Sequence, residues 1–173
     1  MLDGWLRTSV SSTLLYLWGE GHITKKRSKY NVDKSKKGKQ NRTYDGIIFD
    51  SELEMKYYRD VICVGLKNGL IKNCQRQVKY ELQPKFQYQG KNIQAINYVA
   101  DFVVTYADNS VIVWDTKGLA DATAKIKKKM FHYQYPNIDY RWIGYCKMYG
   151  GWLEYDEIEK ARRKRKKEKN NKN

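Results

Sequence analysis

The chain has 173 residues, enough for one domain whose single core needs neither disulfides nor structural metal. Its 34 Lys and Arg outweigh 19 Asp and Glu, a formal charge of +15, so the expected partner is a polyanion. Nucleic acid comes first and an anionic membrane surface well behind, because the basic residues are spread through the chain and not massed on one amphipathic helix.

Cys63, Cys74 and Cys146 are isolated, which argues against a disulfide framework or a zinc site and suits a reducing cytoplasm. His22 and His132 lie too far apart for histidine-based chemistry, so carboxylates are left to do any metal work. Aromatic residues make up 14% of the chain, 15 of them tyrosines, and strand packing accounts for most.

In chain order, the apolar run Leu14-Leu15-Tyr16-Leu17-Trp18 is too short for a bilayer that needs about 20 apolar residues, and no basic leader precedes it. An intracellular, cytoplasmic protein is expected. Residues 19–42 read as a flexible basic arm, the end of an extension covering 1–43; residues 44–158 read as the compact domain and 159–173 as a basic tail. After Ser51, a natural N-cap, Leu53, Tyr57, Val61 and Val64 recur at helical spacing until Gly65 and Asn68-Gly69 stop them.

Strands are expected at 79–82 and 86–88, and a well-marked pair at 97–106 and 111–117, joined through Asp108-Asn109-Ser110. A helix over 120–133 places Leu119, Ala122, Ile126, Met130 and Tyr133 on one face, and Pro136 prevents its continuation. Residues 139–146 read as another strand, and 152–167, acidic first and basic later, as a final helix. The order of elements predicts a mixed α/β fold.

Chemistry concentrates on the strand pair. Side chains alternate along a strand, so Asp115 and Lys117 share a face, and folding the hairpin brings Asp101 towards Asp115. This requires opposed positions to sum to an even number, as with a three-residue loop at 107–109. Asp101 interrupts an otherwise apolar strand, where a buried charge costs several kcal/mol unless paired or metal-bound. Two carboxylates there suit a magnesium ion, which takes oxygen ligands, and Lys117 beside it could hold an attacking water and stabilise a pentacovalent phosphate. Glu54 is balanced between a capping box with Ser51 and a third ligand of the same site, with Glu52 as the substitute.

At these residues the sequence resembles the PD-(D/E)XK nuclease superfamily: Asp101, a hairpin, then Asp115-Thr116-Lys117. Five pieces together resemble a family of short phage and prophage nuclease-like proteins, some with Holliday-junction-resolving or recombination roles. They are Ser28-Lys29-Tyr30, Asp45 to Ser51 with Glu54, Leu82-Gln83-Pro84-Lys85-Phe86, Tyr98 to Phe102, and Asp115 to Gly118. The resemblance implies a restriction-endonuclease-like core, a mixed central sheet flanked by helices, and favours Glu54 over Glu52. It further implies Asp101, Asp115 and the Thr116 carbonyl as metal ligands and Lys117 as the residue that positions water, with Mg2+ as cofactor and Mn2+ as substitute. Ala100 stands where the motif's name has proline, and Asp115 where Glu is commoner.

On the helix after the motif, Lys125, Lys129 and His132 fall on one side with Lys128 adjacent, a basic stripe suited to phosphates. Arg162, Arg163 and Lys164 in the tail would add salt-sensitive affinity without reading bases. The expectation is a magnesium-dependent DNA endonuclease that resolves branched DNA, as a homodimer if it is a junction resolvase, the segment 14–18 then serving as a dimer arm. The alternative is a nucleic-acid-binding protein on a nuclease-like scaffold that no longer cuts; an RNA-binding role comes third.

Overall fold

Ser35 opens the first helix, α1 (Lys36–Asn41), by accepting the Gly38 N–H on its hydroxyl at 3.1 Å. Behind it the buried Arg42 guanidinium donates to the Asp33 carbonyl at 2.6 Å, so the basic stretch beyond Val32 is built into the fold and is no featureless arm. The computed structural model describes residues 32–171, and those from Val32 onward form one compact unit. The run 14–18, the piece Ser28-Lys29-Tyr30 and the rest of the expected arm up to residue 31 lie outside the described residues.

A tight hairpin, β1 (Thr43–Tyr44) and β2 (Ile47–Ile48), turns on Asp45 and Gly46, both at positive φ (50° and 71°), the conformation a two-residue turn requires. It delivers Phe49 into the core and Ser51 to the cap of α2. Helix α2 is continuous but not uniform: α-helical Glu52–Tyr57, π-helical Tyr58–Ile62, then α-helical Cys63–Lys67. It buries Met55, Tyr57 and Ile62, while Val64, expected on the buried stripe, faces solvent, because the π segment rotates the last turn away from the register of the first.

The central sheet has five strands in the order β3 (Ile71–Gln83), β6 (Ile96–Tyr106), β7 (Val111–Thr116), β8 (Asp139–Cys146) and β9 (Gly151–Glu154). Only the β7–β8 pair is parallel, and the sheet is therefore mixed. A separate hairpin, β4 (Phe86–Tyr88) with β5 (Lys91–Ile93), stands between β3 and β6 in the chain. The parallel crossover is carried by α3 (Ala122–Gln134), capped by Asp121, and α4 (Tyr155–Asn170) follows β9. Residues 152–154, expected to begin the last helix, instead pair as a strand with β8, and the helix runs on through the basic tail.

Two cores result. Phe49, Met55, Tyr57 and Ile62 pack with Phe102, Val104 and Trp114; Phe131 and Tyr155 pack with Tyr98, Ala100, Val113, Tyr140 and Trp142. Phe102 and Val104 thus belong to the α2 core while Tyr98 and Ala100, at the same parity on the same strand, belong to the α3–α4 core. Strict alternation would keep all four on one side. The changeover falls at Asp101.

Most of the apolar stripe expected to anchor α3 faces outward, with Leu119 83%, Ile126 59% and Tyr133 87% exposed, and only Met130 of the larger side chains packs against the core. Phe131 is buried instead, with rings of Tyr80, Tyr98, Tyr135 and Tyr140 around it at 4.4–5.8 Å. The aromatic cluster removes more apolar surface from water than the aliphatic stripe could, and it decides which side of the helix is inside.

Candidate active site

The β6–β7 hairpin meets the parity condition. Thr105 opposes Val111, Val104 Ile112, Val103 Val113 and Phe102 Trp114, and the loop is Ala107-Asp108-Asn109, with Asn109 at φ 68° and Tyr106 N–H bonded to the Ser110 carbonyl at 2.9 Å. Pairing stops at Phe102, one residue before Asp101. There β6 leaves β7, and the Asp101 side chain reaches across the gap, where Oδ2 accepts from the Thr116 N–H at 2.7 Å and the Thr116 hydroxyl at 2.8 Å.

Asp115, only 2% exposed, forms an ion pair with the Lys117 ammonium two residues on, as alternation along a strand demands. Lys117 also lies 5.7 Å from the Trp142 ring. Behind Asp115, the Trp142 indole donates to the Tyr140 hydroxyl at 2.5 Å, and Tyr140 donates to the Tyr98 hydroxyl at 2.6 Å, which itself lies against Asp115. Sequence reasoning did not single out Tyr98, Tyr140 or Trp142, because β-strand aromatics normally signal packing alone.

Glu54 comes from the first turn of α2 and is 6% exposed. The capping box is present in altered form: Ser51 Oγ accepts the Glu54 N–H at 3.1 Å, and its hydroxyl donates to Glu54 Oε1 at 3.0 Å. The other oxygen, Oε2, takes a long hydrogen bond of 3.4 Å from the Gln77 amide on β3. Glu52 is exposed and bridges to Lys56 at 3.4 Å, which removes it as the substitute.

The three acids feel one another. Burial pushes the Glu54 carboxyl up to about 7, opposed by the Ser51 hydroxyl and helped by the charges of Asp50 and Asp115. Asp101 is held well above the usual carboxylate range by burial first, then by the charges of Asp115 and Glu54, with the Thr116 N–H and Lys117 pulling the other way. One lysine does not neutralise three acids. The donors are hard oxygens, the chemistry that suits a small divalent cation. Among the described residues no three His, Cys, Asp or Glu side chains already stand in metal-holding geometry: Asp101 is turned onto Thr116, Asp115 onto Lys117 and Glu54 onto Ser51.

Next to this centre, α3 and α4 flank a groove of about 310 Å³ in which Lys125, Lys128, Lys129, His132 and Arg163 outnumber Asp156 and Glu159 over Trp142 and Tyr155. Lys128 lies 4.4 Å over the Trp142 ring and 3.6 Å from Asp156, and Trp142, which lines the groove, is also the ring 5.7 Å from Lys117. The expected stripe Lys125, Lys128, Lys129 and His132 is therefore brought together, and Arg163 joins it, held by Glu159 at 3.1 Å. Arg162 and Lys164 are not part of that lining. Gly144 on β8 permits the close approach of α4 and of the chain leaving β7: a Cβ there would meet Ile158 at 2.9 Å and the Lys117 carbonyl at 3.0 Å.

Fold and site together define an α/β protein with a mixed five-stranded sheet, an acid cluster where two of its strands part, and a basic groove alongside. The chain belongs to the DUF1064 family, described as a protein of unknown function, whose family model matches residues 27–151. No curated protein and no solved structure matches it. Among the described residues no helix is long and apolar enough to cross a membrane.

Proposed function

We propose that this protein is a magnesium-dependent endonuclease that hydrolyses DNA phosphodiester bonds, with the PD-(D/E)XK arrangement its motif resembles. The observation that carries the reading is the convergence of Glu54, Asp101 and Asp115 with Lys117 at the point where β6 leaves β7. Burying Glu54 and Asp115 beside a half-buried Asp101 raises the free energy of the folded chain, and a structural role alone gives no return for it. Asp101, Asp115 and Glu54, with the Thr116 carbonyl, would hold the metal. Magnesium, or manganese in its place, would supply Lewis acidity and a water acidified towards neutrality.

The chain's own residues do the rest. Lys117 holds the attacking water and screens the charge that builds on the phosphate as the water oxygen bonds to phosphorus and the bond to the leaving sugar oxygen breaks. Tyr98, backed by Tyr140 and Trp142, fixes Asp115 from behind. Lys125, Lys128, Lys129, His132 and Arg163 form the path for the DNA backbone, and Arg162 and Lys164 add charge outside it. Branched DNA of the phage recombination type, such as a Holliday junction, is the preferred substrate, cut symmetrically by a homodimer.

A second reading, a DNA-binding scaffold that does not cut, is favoured by the three acids being engaged with protein partners and not set for a metal. The two readings part on one experiment. Wild type and Asp115→Asn are incubated with junction, duplex and single-stranded DNA, with magnesium or with chelator. Cleavage by wild type in magnesium, reduced roughly 1,000-fold or more in the variant, is expected. DNA binding without cleavage by wild type leaves the scaffold reading standing, and equal cutting by both proteins removes the active-site assignment.

A further inference from the structure

Gln77 sits in β3 between Arg76, which opposes Phe102, and Val78, which opposes Ala100, so it faces Asp101 across the ladder. Its φ is +54°, the left-handed region that a strand does not use and that side chains other than glycine avoid. Register is kept on both sides, so no inserted residue accounts for it. Strain of this kind persists only where the surroundings over-determine it.

Two accounts compete. The first is architectural: Cys74 and Arg76 accompany the α2 core, Tyr80 and Leu82 the α3–α4 core, so the β3–β6 ribbon changes sides at Gln77 and Asp101 together, and the left-handed residue could be no more than the twist this needs. The second starts from the side chain. Gln77 is exposed, yet its amide reaches Glu54 Oε2 at 3.4 Å while the Ser51 hydroxyl takes Oε1, so both oxygens of a buried carboxylate are held by uncharged donors. An amide can orient a carboxylate without neutralising it, which an ammonium in the same place would do.

We propose that Gln77 is a positioning residue whose amide holds Glu54 in place beside Asp101 and thereby sets the affinity of the acid cluster for its divalent ion. The inference rests on the metal-dependent reading of the site.

Gln77→Gly separates the two accounts, because glycine removes the strain and the amide at once. The measurements are the melting temperature without metal, Mn2+ binding by calorimetry, and cleavage against Mn2+ concentration. A melting temperature at or above that of wild type, Mn2+ binding weakened about 10- to 100-fold, and a matching shift in the metal needed for cleavage are expected. Saturating metal should restore most of the rate. Gln77→Asn, which tolerates positive φ and keeps a shorter amide, should recover part of the affinity. Wild-type Mn2+ binding and cleavage in Gln77→Gly overturn the proposal and leave the nuclease reading intact; a wild type that neither binds Mn2+ nor cuts sinks both. Should the glycine variant not fold, Gln77→Asn must bind Mn2+ more tightly than Gln77→Ala, and equal binding by those two also overturns the proposal.

Discussion

Trp142 has two lysines near its ring, and their acidic partners differ. Lys117, 5.7 Å from the ring, is tied to Asp115, whose side chain is buried. Lys128, 4.4 Å from the same ring, leans on Asp156, which is largely in water. Around Lys117 the charges are close together and poorly screened, and those of Asp115 and Lys117 are felt by the Asp101 carboxyl. Lys128 is as enclosed as Lys117, but its partner Asp156 and the neighbouring Lys125, Lys129 and Arg163 are exposed, so solvent and salt screen the groove and its charges can give affinity without altering chemistry. Under the nuclease reading proposed above, rate is assigned to the acid centre and attraction to the groove.

The sharpest way to break that assignment is Lys117→Met. A roughly 1,000-fold fall in cleavage at saturating DNA is expected, with DNA affinity little changed. The metal-free variant should also melt lower, because buried Asp115 loses its cation, and Mn2+ should restore more melting temperature to the variant than it adds to wild type. A variant that cuts at the wild-type rate would move Lys117 out of the acid centre and into the groove's class.

A smaller effect tests whether the acids are a single electrostatic unit. Glu54 binds its proton more tightly in the folded chain, about 7 against an ordinary 4.5, so folding is favoured by the protonated form. The contribution is present below pH 4.5 and is lost as pH rises through 7, roughly 3 kcal/mol in all, and Asp101 acts in the same direction. In chelator, wild type should lose melting temperature between pH 4.5 and 7.5, and Glu54→Gln should lose less, keeping only the part that Asp101 carries. Equal slopes for the two proteins would show that Glu54 does not carry the dependence.

How much of this could be read in advance depended on whether alternation held. The β6–β7 hairpin and β8 were legible: β-branched and aromatic residues mark the strands, and an Asp-Asn-Ser turn separates β6 from β7. Most of β3 was not, because its first half, Lys72 to Gln77, is a polar edge strand whose stability comes from pairing with β6 and not from an apolar face. The stripe on α3 was misassigned since apolar residues occupy two sides of that helix, and only the ring cluster around Phe131 settles which is inside. The parity of the hairpin was legible, but the end of its pairing at Phe102 and the place of Gln77 were not. The role proposed for Gln77 depends on a left-handed residue and on a strand that changes cores, both of which are tertiary decisions.

The smallest expected effect lies in the groove. Replacing Lys125, Lys129 and Arg163 by Ala together should weaken DNA binding about 10-fold at moderate salt and flatten the dependence of log affinity on log salt by up to about 0.9 for each phosphate no longer neutralised. Stability should move little, since Lys125 and Lys129 are exposed on α3 and the Arg163 side chain is largely solvated. The rate at saturating DNA should stay within a few-fold of wild type, because no charge in the acid centre has been touched. Because Lys128 is left in place over Trp142, a large fall in rate could not come from disturbing that ring. Such a fall would mean that the groove orients the scissile phosphate as well as attracting the strand, and the division of labour between the two lysines of Trp142 would have to be redrawn.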